Sequence, residues 1–334
     1  MLSILLPVNR HTVYFTQVIN SLTKAIENLD VPTQLVVVTN KLTDEEVQLV
    51  KQDISKYPFE NVIQESPANN LAEVLNFGLE ICKYDFVARM DADDVCLPNR
   101  FGDQLKYLGA NSDVAAVGGQ LSLIDSNNRV IGRASYPTSK NRIKKRITRI
   151  NCLAHPAVMF RKRCIYSVGG YQNDFPMAED YFLWVRLSKT WSLANLSECV
   201  LQYRIHQSQI TSKNFMLQLC STVRIIALSY PVNQNNIRLE LDQFLEKTRS
   251  RSVMEILSLN SIRPHSHFKA SIAILILRRD GLKSGIKKRH ILLLLATAFR
   301  GDPTTTLIEL FQYALRIFQR FYGRKTLLTL SSIE

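Results

Sequence analysis

No two of the six cysteines stand in a C-x-x-C arrangement, and no cysteine–histidine cluster has the spacing of a zinc site. Cys82, Cys96, Cys152, Cys164, Cys199 and Cys220 are scattered singly, which points to a reducing cytoplasm rather than a disulfide-stapled fold. Long apolar runs are also missing. The longest candidates, "SIAILIL" (271–277) and "ILLLLATAF" (291–299), fall short of the roughly 18 residues that a membrane-spanning helix needs. The N-terminus is apolar only from Leu2 to Val8, with no basic stretch before it and no cleavage-like site after it, so a secretory signal is not expected. Internal repeats and low-complexity tracts are absent.

What is present is an ordinary soluble composition with an uneven charge. The 334 residues are 46% hydrophobic, 21% charged and 9% aromatic, enough for a sizeable core. The net charge of +13 is concentrated late in the chain: residues 1–210 hold 23 Lys and Arg against 21 Asp and Glu, whereas residues 211–334 hold 19 against 8. A near-neutral body with a strongly basic tail suggests an anionic partner, either a membrane surface or a nucleic acid.

The body alternates strand-like and helix-like segments. Strands are expected over 2–8, 34–40 and 84–90, each a short apolar run. Helices are expected over 15–29, after Thr43 as N-cap with Glu46 three residues on, over 72–83, and over 97–108 with Pro98 near the first helical position. Further strands are expected over 114–125, 129–137 and 155–162, and residues 192–206 are expected to bring the chain back as more than one strand. Two more helices follow from the basic stretch Lys140–Arg149 and from residues 178–189, which open with acids. This alternation predicts an α/β domain over 1–210 with a mainly parallel sheet. From about 211 the pattern becomes helical. In the segment 303–325, Leu307, Phe311, Ala314, Phe318 and Phe321 share a stripe among Arg316, Arg320, Arg324 and Lys325. Such a helix either lies in a membrane interface or packs its stripe on the body. A nucleic-acid partner has no binding motif to accompany the charge.

The stretch "RMDADDVCLPNRF" (89–101) places Asp91, Asp93 and Asp94 directly after an apolar strand. In parallel sheets ligands bind beyond the carboxyl ends of the strands. Three carboxylates so close repel one another unless a cation sits among them, and Mg²⁺ or Mn²⁺ among oxygen ligands commonly bridges to substrate phosphates. The alternative is that Asp94 caps the following helix and the others are solvated.

Several stretches together resemble the family-2 glycosyltransferases, of the bacterial exopolysaccharide and O-antigen type. They are "LLPVN", "LVVVTN", "LNFGLEICKYDFVARMDADDVCLPNRF", "HPAVMFRK…VGGYQNDFPMAEDYFLWVRL" and "YRIHQSQIT". The resemblance spans about residues 2–210. It implies the GT-A fold, a Rossmann-like, mostly parallel central sheet flanked by helices, here with a helical, basic C-terminal extension over 211–334. It implies that Asp91 and Asp93 hold a Mn²⁺ or Mg²⁺ ion and the nucleotide diphosphate, with His206 completing the metal site. Asp180 then matches the catalytic base, with Glu179 beside it. The donor nucleotide falls to Pro7, Val8, Asn9, Asn40, Asn76, Arg89 and Ala92 along with the two aspartates, and Gly78 lies on the helix that packs near it. On the acceptor side stand His155, Trp184 and Arg204. His155 either meets the acceptor's phosphate or bonds locally, and Trp184 is either core or a sugar platform.

The implied reaction is inverting transfer of a hexose, Glc or Gal, from a UDP-sugar to a saccharide on undecaprenyl diphosphate. It would take place at the inner face of the bacterial inner membrane, on an anionic lipid surface and without nucleic acid. One position departs from the family pattern. After the second strand the family usually has an acidic pair or Asp-Gly, whereas this chain reads "VVVTNKL", placing Asn40 where a carboxylate would contact the base. An amide both donates and accepts, so Asn40 can still meet a uracil. Two further readings compete. A nucleotidyltransferase would need a Gly-rich first loop, and "LLPVNRHTV" has no glycine. A non-catalytic membrane-associated scaffold would account for the altered nucleoside position but not for the retained carboxylates.

Overall fold

The computed structural model describes residues 1–27, 29–206 and 215–229. The chain divides into a compact unit over Met1–Ile225 and a second over Ile226–Glu334. The basic amphipathic segment at 303–325 and the two apolar runs at 271–277 and 291–299 lie outside the described residues. Among those described, no helix is long and apolar enough to cross a membrane.

A nine-stranded sheet organises the first unit. Its first half is parallel: β1 (Leu2–Val8) lies between β2 (Thr33–Thr39) and β4 (Phe86–Arg89), with β3 (Glu60–Glu65) outside β2. Beyond β4 the sheet is mixed. β8 (Met159–Arg161) runs antiparallel to β4 and to β6 (Val114–Ile124). β9 (Ser192–Arg204) lies parallel to β6, while β5 (Val95–Cys96) and β7 (Val130–Ala134) pair antiparallel on β9 and β6. The β1, β2 and β4 runs are buried almost throughout because helices cover both faces, as the unbroken apolar sequence demands.

The helices are α1 (Phe15–Ile26), α2 (Asp44–Ile54), α3 (Leu71–Ile81), α4 (Arg100–Ala110), α5 (Lys140–Arg146), α6 (Lys162–Ser167), α7 (Glu179–Leu187) and α8 (Phe215–Leu228). Thr43 and Glu46 form the reciprocal capping box at the start of α2. At Gly78 a side chain would collide with Leu5 and Val38, so glycine lets α3 lie against β1 and β2. α8 docks through Gln218, whose Nε2 donates to the Met177 carbonyl (2.9 Å), and through Arg224, which lies over the Phe175 ring.

Several local expectations are corrected. Pro98 sits in a turn ahead of the N-cap Asn99, so α4 starts two residues later than a proline at its first position would require. Residues 155–157 form a 3₁₀ turn, leaving only 159–161 as strand. Residues 192–204 are one continuous strand. The two-residue β5 and the edge strand β3 also appear. β3 has no buried residue, so no apolar alternation marked it in the sequence.

Candidate active site

Because β1, β2 and β4 are parallel neighbours, their ends bring Asn9, Asn40 and Asp91 to one edge of the sheet. The antiparallel pairing of β5 with the end of β9 brings His206 to the same place. One oxygen from each of Asp91, Asp93 and Asp94 lies within 4.8 Å of the others. Each carboxylate has a different support. Asp91 is gripped on both oxygens by the buried Arg89 guanidinium, and one of these bonds is 2.9 Å. Asp93 Oδ2 meets His206 Nε2 at 2.8 Å. Asp94 Oδ1 accepts the Arg204 backbone N–H at 2.9 Å. Asp94 therefore ties the loop to β9 rather than capping α4.

Asp94 is fully buried, yet its Oδ2 has no hydrogen-bond partner among the described residues. A buried carboxylate oxygen without a donor is costly unless a cation faces it. Burial raises the pKa of Asp91 and lifts that of Asp94 well above the usual carboxylate range. Asp93 adds to both shifts and Asp91 adds to that of Asp94, while Arg89 opposes both. An all-oxygen cluster with an orphaned anionic atom fits a hard divalent cation, with Asp91, Asp93 and Asp94 as donors and His206 at the margin.

Arg204, expected on the acceptor side, is fully buried beneath this loop. Its guanidinium donates to the Asp93 carbonyl (2.8 Å), the Asp125 carbonyl (3.1 Å), Asn128 Oδ1 (2.8 Å) and Gln17 Oε1 (2.8 Å), and it stacks on Tyr14. It holds the floor of the site and is closed to an acceptor. Trp184 is also fully buried, edge-on to His155, and so belongs to the core rather than to a sugar platform. His155 bonds Tyr171 Oη through Nε2 at 2.8 Å, a partner 16 residues on in the chain. Burial, with the Arg89 charge, holds its pKa well below the ordinary value, so it is neutral.

Asp180 is half-buried in the first turn of α7. Its Oδ2 accepts from Asn151 Nδ2 at 2.9 Å. Burial raises its pKa, against the opposing pull of the Tyr181 backbone N–H, Asn151 and Arg89. Asp180 and Asp91 are near enough for their charges to interact. The Glu179 side chain is buried and accepts the Met177 N–H at 3.1 Å, closing a turn in which Met177 has φ of 67°.

The nucleoside residues divide in the same way. Asn9 is exposed beyond β1, Pro7 is partly covered and Val8 is buried, so Val8 offers only backbone; its carbonyl accepts the Asn40 N–H at 2.9 Å. Asn40 Nδ2 donates to the carbonyls of Ser66 (3.0 Å) and Ala68 (2.7 Å), leaving Oδ1 as its polar atom for a ligand. Asn76 is occupied at both ends by the Tyr171 backbone (2.8 and 2.9 Å), next to Gly170 at φ of 68°. Its amide braces α3 against that loop through one N–H and its oxygen. Ala92, between the aspartates, is partly buried against the core. Sequence reasoning passed over Asn151, Tyr14 and Gln17. Their partners lie far off in the chain, and no local pattern signals them.

The model of "Glycosyl transferase family 2" matches residues 3–168. An amylovoran biosynthesis glycosyltransferase, AmsE of Erwinia amylovora, is 32% identical over 54% of this chain and 68% of its own length. The O-antigen biosynthesis glycosyltransferase WbnJ of Escherichia coli is 39% identical over 46% of this chain and 60% of its own length. An E. coli UDP-Gal:alpha-D-GlcNAc-diphosphoundecaprenol beta-1,3-galactosyltransferase is 38% identical over 37% of this chain and 43% of its own. The match to WbnJ thus leaves about two fifths of that relative uncovered. Among solved structures, S. aureus TarS 1-349 in complex with UDP-GlcNAc aligns with 97% of this chain and 93% of its own length at 16% identity, with a TM-score of 0.54, which is a likeness of fold.

Proposed function

The chain belongs to glycosyl transferase family 2, and we propose on that premise that it is an inverting, metal-dependent hexosyltransferase. It takes Glc or Gal from a UDP-sugar and adds it to a saccharide on undecaprenyl diphosphate, in O-antigen or exopolysaccharide synthesis. The carrying observation is the cluster of three converging carboxylates with an orphaned buried oxygen, supported by the separate Asp180, whose charge interacts with Asp91. Asp91, Asp93 and Asp94, with His206 at the margin, would hold Mn²⁺ or Mg²⁺, which neutralises charge building on the leaving diphosphate. Asp180 removes the proton from the acceptor hydroxyl as its oxygen bonds to the anomeric carbon. The bond from that carbon to the diphosphate breaks, and UDP leaves with the electron pair. Attack opposite to the leaving group inverts the centre. The relative named for UDP-Gal and a GlcNAc-diphosphoundecaprenol acceptor supports this choice of substrates. The basic balance of residues 211–334 supports a peripheral seat on the anionic inner face of the membrane.

The test is UDP release with Mn²⁺ from a panel of UDP-sugars, using a synthetic GlcNAc-diphosphate-lipid as acceptor. Turnover with one sugar supports the reading and names the donor. Absence of both turnover and Mn²⁺-dependent UDP binding would favour the scaffold reading, for which the engaged Asn40 amide is the supporting observation.

A further inference from the structure

We propose that Asn151 is the positioning residue of the base: it pins one carboxylate oxygen of Asp180 and leaves the other to face the acceptor hydroxyl. This inference rests on the reading of Asp180 as the base. Asn151 Nδ2 donates to Asp180 Oδ2 at 2.9 Å, while its Oδ1 accepts the Leu153 N–H at 3.2 Å. The second bond fixes the first. A backbone N–H can only donate and a carboxylate can only accept, so the amide has one orientation that satisfies both. The mount is rigid. Asn195 Nδ2 ties the Cys152 carbonyl (2.9 Å), and the His155–Tyr171 bond holds the segment a few residues on. Asn151 also follows directly on the buried Ile150, with the buried Ile147 one turn earlier in the chain.

The charged and titratable groups that face Asp180 are Arg89 from β4, Asp91 from the acidic loop, Tyr171 from the loop before α7, and Glu179 beside it. Arg89 is already engaged by Asp91. Beside the Tyr181 backbone N–H, Asn151 is thus the neutral side-chain donor that steers the carboxylate without competing for its charge. A hydrogen bond to the ionised form favours that form, so loss of the donor raises the pKa of Asp180.

Asn151→Asp separates the two duties of this side chain. The isosteric carboxylate keeps an acceptor for the Leu153 N–H but loses the donor and sets a like charge beside Asp180. Wild type, Asn151→Asp, Asn151→Ala and Asp180→Asn are compared for UDP release with UDP-Glc and UDP-Gal, Mn²⁺ and the synthetic GlcNAc-diphosphate-lipid. In Asn151→Asp, kcat is expected to fall about tenfold to a hundredfold with donor KM unchanged. The acid limb of kcat/KM is expected to move up by about one pH unit. Asn151→Ala should move the limb in the same direction. Wild-type kcat and an unmoved limb in Asn151→Asp would overturn the proposal, as would a fall in kcat that tracks a lowered Tm with the limb unmoved. Wild-type turnover by Asp180→Asn would instead sink the base reading itself, whatever the Asn151 variants do.

Discussion

At the β2 end of the site, Asn40 gives both amide hydrogens to the loop over Ser66–Ala68, and Asn76 bonds the Tyr171 backbone through both its nitrogen and its oxygen. At the β4 end, Asp94 keeps a buried oxygen with no partner, and two further carboxylates crowd it. Both ends are polar and both lie at strand termini, so residue type alone does not separate them. The difference is whether the polar groups are satisfied. A satisfied buried amide stabilises the fold, whereas an unsatisfied carboxylate cluster costs stability and is compensated when a ligand arrives. Substitutions at the first end should therefore cost stability, and those at the second should cost chemistry.

Asp93→Ala should show the largest effect, a loss of turnover of about 10³-fold or more. Its Tm should not fall, because a like charge leaves the cluster; a Tm drop of many degrees would break the comparison. Asp180→Asn should follow, with kcat reduced about 10²- to 10³-fold and Tm little changed. Burial raises the Asp180 pKa, and a base works only when unprotonated. Activity should therefore fall away at a higher pH than an ordinary carboxylate gives, measured as the acid limb of kcat/KM.

Arg204→Met removes a fully satisfied brace beneath the acidic loop, where satisfaction rather than location decides the cost. It strands the acceptors at Asp93, Asp125, Asn128 and Gln17, and denaturant unfolding should show a loss of about 2–4 kcal/mol. The smallest effect belongs to Thr43→Ala, which removes the α2 capping box and none of the acidic groups: about 1 kcal/mol of stability, with kcat unchanged.

Much of the scaffold was legible because its signals are local. The apolar run of β1, the amphipathic stripe of α1 and the Thr43–Glu46 box each lie within one segment and survive in the structure. Pro98 misled because a proline suits a turn before a helix as well as its first position. The acidic loop was legible as a cluster, since three aspartates in four positions are hard to explain otherwise. The fates of its neighbours were not. Arg204 looks like an exposed cation in "QYRIH" and becomes a buried brace only because β9 returns beside β5 and α1. Trp184, four residues after Asp180, could be read from sequence as core or as a sugar platform, and its burial places it in the core. Asn151 reaches Asp180 across 29 residues, a pairing fixed by tertiary packing alone.

The most direct test of the account is calorimetric titration of UDP into the wild-type chain with Mn²⁺ and with EDTA, repeated on Asp93→Ala and Asp180→Asn. The account expects binding with Mn²⁺ only, lost in Asp93→Ala and kept in Asp180→Asn. Equal binding in EDTA, or undiminished binding by Asp93→Ala, would contradict the assignment of the acidic loop to the metal and the diphosphate.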